Sequence, residues 1–419
     1  MKVAGVIAEY NPFHNGHRYQ LEQVRKQTNA DYIIVAMSGN FLQRGVPAIM
    51  DKYSRTRLAL SQGADLVIEI PTVWASASAE YFASAGVRLL SCTQVVDTLC
   101  FGAECSSLDT LQRIADILSS ESSQYQNLLQ EGLKSGCSFP KARMQALSTI
   151  LSYTPECQMQ DDPMQEIDEL LSSPNNILAI EYLRALSSVP TGQKITPFLI
   201  PRVGSGYHDE TLCEFASATA IRRQLLSEEP LCDVLPNDIL MQLNEYADTY
   251  GYVSENAISS MLGYQLYSCA HKGYSCYADC SLELSNRISH LLPEYKSFTQ
   301  FCQLLKTKEL THTRISRALL HILLQITDEQ YEAGKELLMI PYLRILGFRK
   351  NATPLLQSIK QHALIPMITK VRTANRQIAT NAMWMFEKDL FASDIYRQLI
   401  IANKKSVPKN DYSQKLIIL

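Results

Sequence analysis

The chain opens on a short apolar run, Val3–Ala8, that breaks at Glu9 and runs at once into Asn11-Pro12-Phe13-His14-Asn15-Gly16-His17. This juxtaposition constrains the fold more than any other feature. A six-residue apolar run bounded by a Pro/Gly loop reads as a buried strand. The same grammar recurs at residues 32–37, closed by Ser38-Gly39-Asn40, at 65–70, closed by Pro71, at 95–101, closed by Gly102, and at 196–200. Helical patterns fill the spaces at about 17–28, 51–62, 77–90 and much of 108–186. Strands alternating with helices predict βαβ units, a parallel sheet and an α/β fold of the Rossmann-like kind. Ligands of such sheets sit beyond the carboxyl ends of the strands. Those ends carry residues 9–17, 38–44, Pro71 and Gly102.

From about 235 onward helical periodicity dominates, with pieces near 254–267, 281–292, 296–306, 312–325 and 389–402. The expected division is a sheet domain over 1–235 and a mostly α-helical part over 236–419. A chain of 419 residues is long enough for two domains. Its net charge of −3 argues, on its face, against a nucleic-acid partner. The average conceals a split. Residues 301–419 carry 18 Lys and Arg against 9 Asp and Glu, a net of +9, and the first 300 carry the balancing −12. The first apolar run is too short for a signal sequence, and no apolar stretch approaches a membrane span. Eleven cysteines without a Cys-x-x-Cys pair read as reduced, in a cytoplasmic protein. The cluster Cys269, His271, Cys276 and Cys280 matches no common zinc spacing and reads as buried thiols.

His14 and His17 stand three apart, on one face of the first turn of a helix. A helix N-terminus offers unpaired N–H groups to an anion, and Gly16 lets a ligand come close to the backbone. Two imidazoles there suit attack on the α-phosphate of a nucleotide, by positioning and charge stabilisation. A second candidate is Ser217-Ala218-Thr219-Ala220-Ile221-Arg222-Arg223. Ser217 and Thr219 are good helix caps; with Arg222 one turn on, they also suit β- and γ-phosphates. The loop 38–45 reads either as a cover over the substrate or as a solvated loop. Asp51 and Lys52 read as a helix start, and Glu104 as structural.

Together the two motifs resemble the nucleotidyltransferase superfamily, with its His-x-Gly-His and Ser/Thr-x-x-x-Arg elements. The blocks EYNPFHNGH, MSGNFLQRGVPAIMDKYSRTRLAL, DLVIEIP, CFGAE, PNNILAIEYLRAL, PRVGSGYHD, SATAIR and YLRILGFRK, in that order, are similar to the tRNA(Met) cytidine acetate ligase family. The resemblance implies an ATP-dependent ligase. It would make acetyl-adenylate from acetate and ATP, releasing pyrophosphate, and acetylate the exocyclic amine of the wobble cytidine of elongator tRNA(Met). It implies His14, His17 and Arg222 as catalytic residues. ATP contacts are implied along Ile7, Ala8, Glu9, Tyr10, Asn11, Pro12, Phe13, His14, Asn15, Gly16, His17, Arg18, Tyr19 and Gln20, and at Gly102 and Arg202. Either Asn175 or Asn176 completes the set, Asn175 being preferred because it follows Pro174. Mg2+ is expected without a dedicated protein site. No serine or cysteine nucleophile is needed, because acetate is itself the nucleophile. Cationic help for the leaving pyrophosphate is expected from Arg222, Arg223, Arg202 or Lys52.

The basic C-terminal third suits RNA. Arg344, Arg349, Lys350, Arg372, Arg376, Lys404, Lys405 and Lys409 mix with Tyr342, Phe348 and Tyr412. Of these, Arg349, Lys350, Lys404 and Lys405 are the tRNA contacts expected. Two other readings compete: an adenylyltransferase building a dinucleotide, for which the basic region is unneeded, and a non-catalytic scaffold, against which both histidines and Arg222 speak.

Overall fold

The structure is a computed structural model that describes residues 1–120, 122–135, 139–152, 163–189, 193–201, 217–227, 235–336, 339–402 and 406–419. The first half alternates as expected: β1 (Val3–Ala8), α1 (Asn15–Thr28), β2 (Tyr32–Ser38), α2 (Lys52–Ser61), β3 (Leu66–Ile70), α3 (Thr72–Ala75), α4 (Ala79–Cys92), β4 (Thr98–Ala103) and β5 (Thr196–Pro201). The strand expected at 95–101 sits a little later, and the helix expected at 77–90 ends at Cys92. Helices fill the span between β4 and β5, including Pro174–Ser187, which packs on α4.

Side chains of β2 alternate between two apolar layers, as a strand buried on both faces requires. Ile33, Val35 and Met37 join Leu21 and Val24 of α1 and Leu58 of α2. Ile34 and Ala36 join Leu89 and Leu90 of α4 on the opposite face. The helix comes close because it carries Gly86 there: a Cβ at that position would lie 2.7 Å from the Ile7 side chain.

Helices dominate residues 236–419, and these residues also complete the sheet. β6 (Leu343–Phe348), β7 (Met367–Ile368) and β8 (Ile417–Ile418) extend it, and the order is β5-β4-β1-β2-β3-β6-β7 with β8 also on β6. All pairs are parallel except β3–β6. The chain moves from β1 outward through β2 to β3, then crosses back to place β4 on the other side of β1. The reversal leaves a crevice beyond the carboxyl ends of β1 and β4, where sheets of this kind bind ligands.

Candidate functional site

The His motif occupies this crevice. β1 ends at Ala8, and Tyr10 turns the chain with a left-handed φ of 49°. The Asn11-Pro12 peptide is cis. Asn11 is held by its side-chain oxygen, which accepts the Ile49 N–H at 2.8 Å. Phe13 and Tyr10 are buried, 4.8 Å apart between ring centroids, and each also touches the His17 ring. These rings fix the entry into α1.

His14 is the N-cap of α1. Its Nδ1 accepts the Gly16 N–H at 3.0 Å, and the His14 N–H donates to Nδ1 of His17 at 3.3 Å. The two rings stack at 3.8 Å. This reciprocal cap takes the place of the usual Ser/Glu box. It also decides the tautomers. A ring whose Nδ1 accepts carries its proton on Nε2, so each imidazole is an Nε2–H donor. The motif therefore gathers two N–H donors and the positive end of a helix. The first turn of α1 starts at Asn15, two residues earlier than the periodicity suggested.

Arg222 arrives from a helix 211 residues later, Ala218–Ser227, and joins the same loop. Its Nη1 donates to the Asn11 carbonyl at 2.8 Å and its Nη2 to the Thr219 hydroxyl at 3.1 Å. Burial weakens its hold on the proton, opposed by the charges of Glu255 and Glu9. Ser217 accepts the Ala220 N–H and caps this helix, the plainer of the two sequence readings. Arg223 points to the exposed side. Arg202 lies outside the described residues.

Glu9 lies half-buried at the end of β1. Burial pushes its carboxyl up; the Gln43 N–H on Oε1 at 2.8 Å and the charges of Arg44, Arg55 and Arg222 pull it back. Beneath it is Arg55, which the sequence did not single out. Its guanidinium is fully buried and donates to the carbonyls of Glu9, Ser38, Gly39 and Met50. It thereby ties the ends of β1 and β2 together. Nothing in the helical spacing marks Arg55, because an arginine on a helix is ordinarily a surface residue. The segment 38–45 is not a solvated loop: only Gln43 and Arg44 are appreciably accessible, and Gly45 packs against Ser316 and Arg317.

On the other wall, Gly102 sits in the last turns of β4, followed by Glu104. The Glu104 carboxylate accepts from Asn175 Nδ2 at 2.6 Å and from the Asn176 N–H at 3.1 Å. The Asn176 amide is buried and used on both ends, accepting the Cys105 N–H and donating to the Leu170 carbonyl. Asn175 is the more accessible of the two. Within α1, Arg18 pairs with Glu22 at 3.1 Å, while Asn15, Gly16, Tyr19 and Gln20 are half-buried. Ile7 and Ala8 are the last residues of β1, Ile7 under α4 and Ala8 beside Met37.

Two cations offered by the sequence are engaged elsewhere. Lys52 is fully buried, and its Nζ lies 2.8 Å from Glu69 and 3.0 Å from Asp411. It is not available to a leaving pyrophosphate. Arg344 of β6 is buried in the same cage, 3.2 Å from Glu69 and 2.7 Å from Asp411. With the equally buried Tyr342, it is withdrawn from any RNA surface. Lys350, Arg372, Arg376, Lys409 and Tyr412 are exposed, and Arg349 is partly exposed, 3.9 Å from Asp65. Lys404 and Lys405 lie outside the described residues. Among the described residues no three His, Cys, Asp or Glu side chains converge as a metal cage. Cys280 is buried and its thiol is pushed up to about 12, whereas Cys276 is exposed.

The HIGH Nucleotidyl Transferase family profile matches residues 1–412. The chain is 39% identical to the tRNA(Met) cytidine acetate ligase of Thermoanaerobacter sp. (strain X514), covering 100% of both. It is 36% identical to the protein of that name from Halothermothrix orenii, covering 98% of both. The crystal structure of Thermotoga maritima TmcAL bound with alpha-thio ATP superposes with a TM-score of 0.89 at 31% identity, over 100% of both chains.

Proposed function

Because the chain belongs to the tRNA(Met) cytidine acetate ligase family, within the HIGH nucleotidyl transferases, we propose that the crevice beyond β1 and β4 makes acetyl-adenylate and passes the acetyl group to the wobble cytidine of elongator tRNA(Met). The observation that carries this reading is the hydrogen bond from Arg222 to the Asn11 carbonyl. It joins the two phosphate-reading motifs into one site at the reversal of the sheet.

In the first step an acetate oxygen attacks the α-phosphorus of ATP and pyrophosphate leaves. The Nε2–H groups of His14 and His17 and the start of α1 meet the oxygens on which charge builds. Arg222, with Thr219, takes the β- and γ-phosphates, and desolvation makes its charge count for more there. Asn175, bonded to Glu104 just past the end of β4, reads the nucleotide; Asn176 holds the turn beneath it. When bound, Mg2+ would be carried by the phosphates of ATP and would neutralise charge there.

In the second step the exocyclic amine of cytidine attacks the acetyl carbonyl, loses a proton, and AMP leaves. The base must be turned out of its stack to reach the adenylate. Residues 1–235 supply the adenylation chemistry; 236–419 bring the RNA, with Arg349, Lys350, Lys404 and Lys405 on its phosphates. A tRNA substrate sets this work in the cytoplasm, and among the described residues no helix is long and apolar enough to cross a membrane.

The test is pyrophosphate exchange into ATP. Acetate-dependent exchange without tRNA is expected. Exchange that appears only with a nucleoside monophosphate as co-substrate would point instead to a dinucleotide-forming adenylyltransferase.

A further inference from the structure

The helix Ser259–Cys269 presents two large aromatic side chains to solvent one turn apart. Tyr264 is 76% exposed and Tyr267 is 59% exposed. The buried face of the helix is used: Leu262 and Leu266 are fully buried; on the Tyr267 side, Gly263 lies close to the Tyr295 ring. The Tyr267 hydroxyl donates to the Leu292 carbonyl at 3.3 Å, which holds the ring in place and leaves a face open. The two rings, one turn apart, form one exposed aromatic face.

Three observations define what covers it. First, the helix is anchored beside the catalytic crevice. Val253 N–H donates to the Ile49 carbonyl, and Ile49 N–H donates to the Asn11 side chain, so two hydrogen bonds link the segment before the helix to the His loop. At about 1.5 Å per residue, Tyr264 and Tyr267 stand roughly 8 and 12 Å along the helix from its start. Second, no acidic residue occurs between Glu255 and Asp279, whereas His271 and Lys272 follow the helix directly and are exposed. Third, the acid that closes this stretch is paired: Asp279 lies 2.8 Å from Arg317. The helix itself carries no carboxylate to repel a polyanion.

We propose that Tyr264 and Tyr267 form a stacking platform for unpaired RNA bases flanking the cytidine that reacts. Open aromatic faces with nearby cations are how proteins hold splayed single-stranded bases. Stacking of the neighbours keeps the loop open while the reacting base enters the crevice. This inference rests on the tRNA reading above and adds a contact region apart from the basic residues at the C-terminal end.

The experiment uses the full chain and an RNA hairpin bearing the elongator methionine anticodon loop. Tyr264→Ala and Tyr267→Ala should each weaken hairpin binding about tenfold, the double variant more, at unchanged acetate-dependent pyrophosphate exchange. Tyr264→Phe and Tyr267→Phe should bind within about twofold of the parent, because the ring is retained. Ala variants that bind the hairpin as the parent does overturn the platform. So do variants that lose exchange in parallel, which marks a structural role. A parent dimer that dissociates in the double variant, seen by sedimentation, assigns the face to a second copy instead. If the parent itself binds no hairpin, the tRNA reading falls and the platform with it.

Discussion

At the end of β1, Arg222 gives its hydrogen bonds to a backbone carbonyl and a hydroxyl, both neutral. Across the sheet, at β3 and β6, Lys52 and Arg344 give theirs to Glu69 and Asp411, and charge balances charge. Both arrangements are built around buried or half-buried cations and lie toward the same end of the sheet. The first has no carboxylate among its hydrogen-bond partners, although the charges of Glu9 and Glu255 act on it; the second spends its cations on two carboxylates and closes the fold. What separates a binding cation from a structural one is therefore the partner, which the sequence does not print. A buried pair that loses one member leaves an uncompensated charge. A site cation that loses its counter-ligand leaves only an unfilled site.

This contrast can be broken in order of expected effect. Lys52→Ala should strip the cage of one cation and lower stability by about 3–5 kcal/mol. Urea unfolding reads this, and pyrophosphate exchange per folded molecule should persist. A small shift in midpoint would mean the cage is dispensable. His17→Ala should do the reverse: exchange drops by about a hundred- to thousandfold, with tRNA binding retained. Retained exchange would remove the His motif from the chemistry. Arg222→Lys keeps the charge but loses the fork that spans Asn11 and Thr219. About a tenfold loss in exchange is expected, carried largely by a higher KM for ATP.

The smallest effect sharpens the comparison through pH. Asp389 lies near the cage, accepting from Thr72 N–H and from the Tyr342 hydroxyl. Burial and the charge of Glu69 push its carboxyl up to about 6. An unfolded aspartate gives up its proton near pH 4. Between those values the folded state keeps a proton that the unfolded state releases. Stability from this group is therefore present below about pH 4 and lost as pH rises to about 6. Asp389→Asn retains the acceptor for Thr72 and should flatten that slope in urea melts taken from pH 4 to 7. Asp411 works in the opposite sense: Lys52 and Arg344 hold its carboxyl well below the usual range, so its contribution is lost only in stronger acid.

Much of this was legible in advance. Five strands declared themselves by apolar runs closed at Gly, Pro or Asn, and the His loop lay where the architecture puts ligands. The rest was hidden for identifiable reasons. β7 and β8 are two residues long and carry no period. β6 contains Arg344, whose charge made a core strand resemble an RNA-facing surface. Lys52 misled in the same way. The meeting of Arg222 with Asn11 depends on a fold-level approach of segments 211 residues apart, which no local pattern encodes. Arg55 was missed because its use of four carbonyls is a property of where strands end in space.

The cage has one more consequence, which concerns time. Lys52 and Asp411 are 359 residues apart, and β3 waits for β6 and β8 before its side of the sheet is covered. Contacts this distant in sequence form late. While the ribosome is still short of Asp411, Lys52 and Arg344 share only Glu69, and the nascent interior holds one positive charge too many. Closure of this side of the sheet then has to await the residues around Asp411. Until then the β3 edge stays open, while the β5-β4-β1 side of the sheet, complete by Pro201, can already pair.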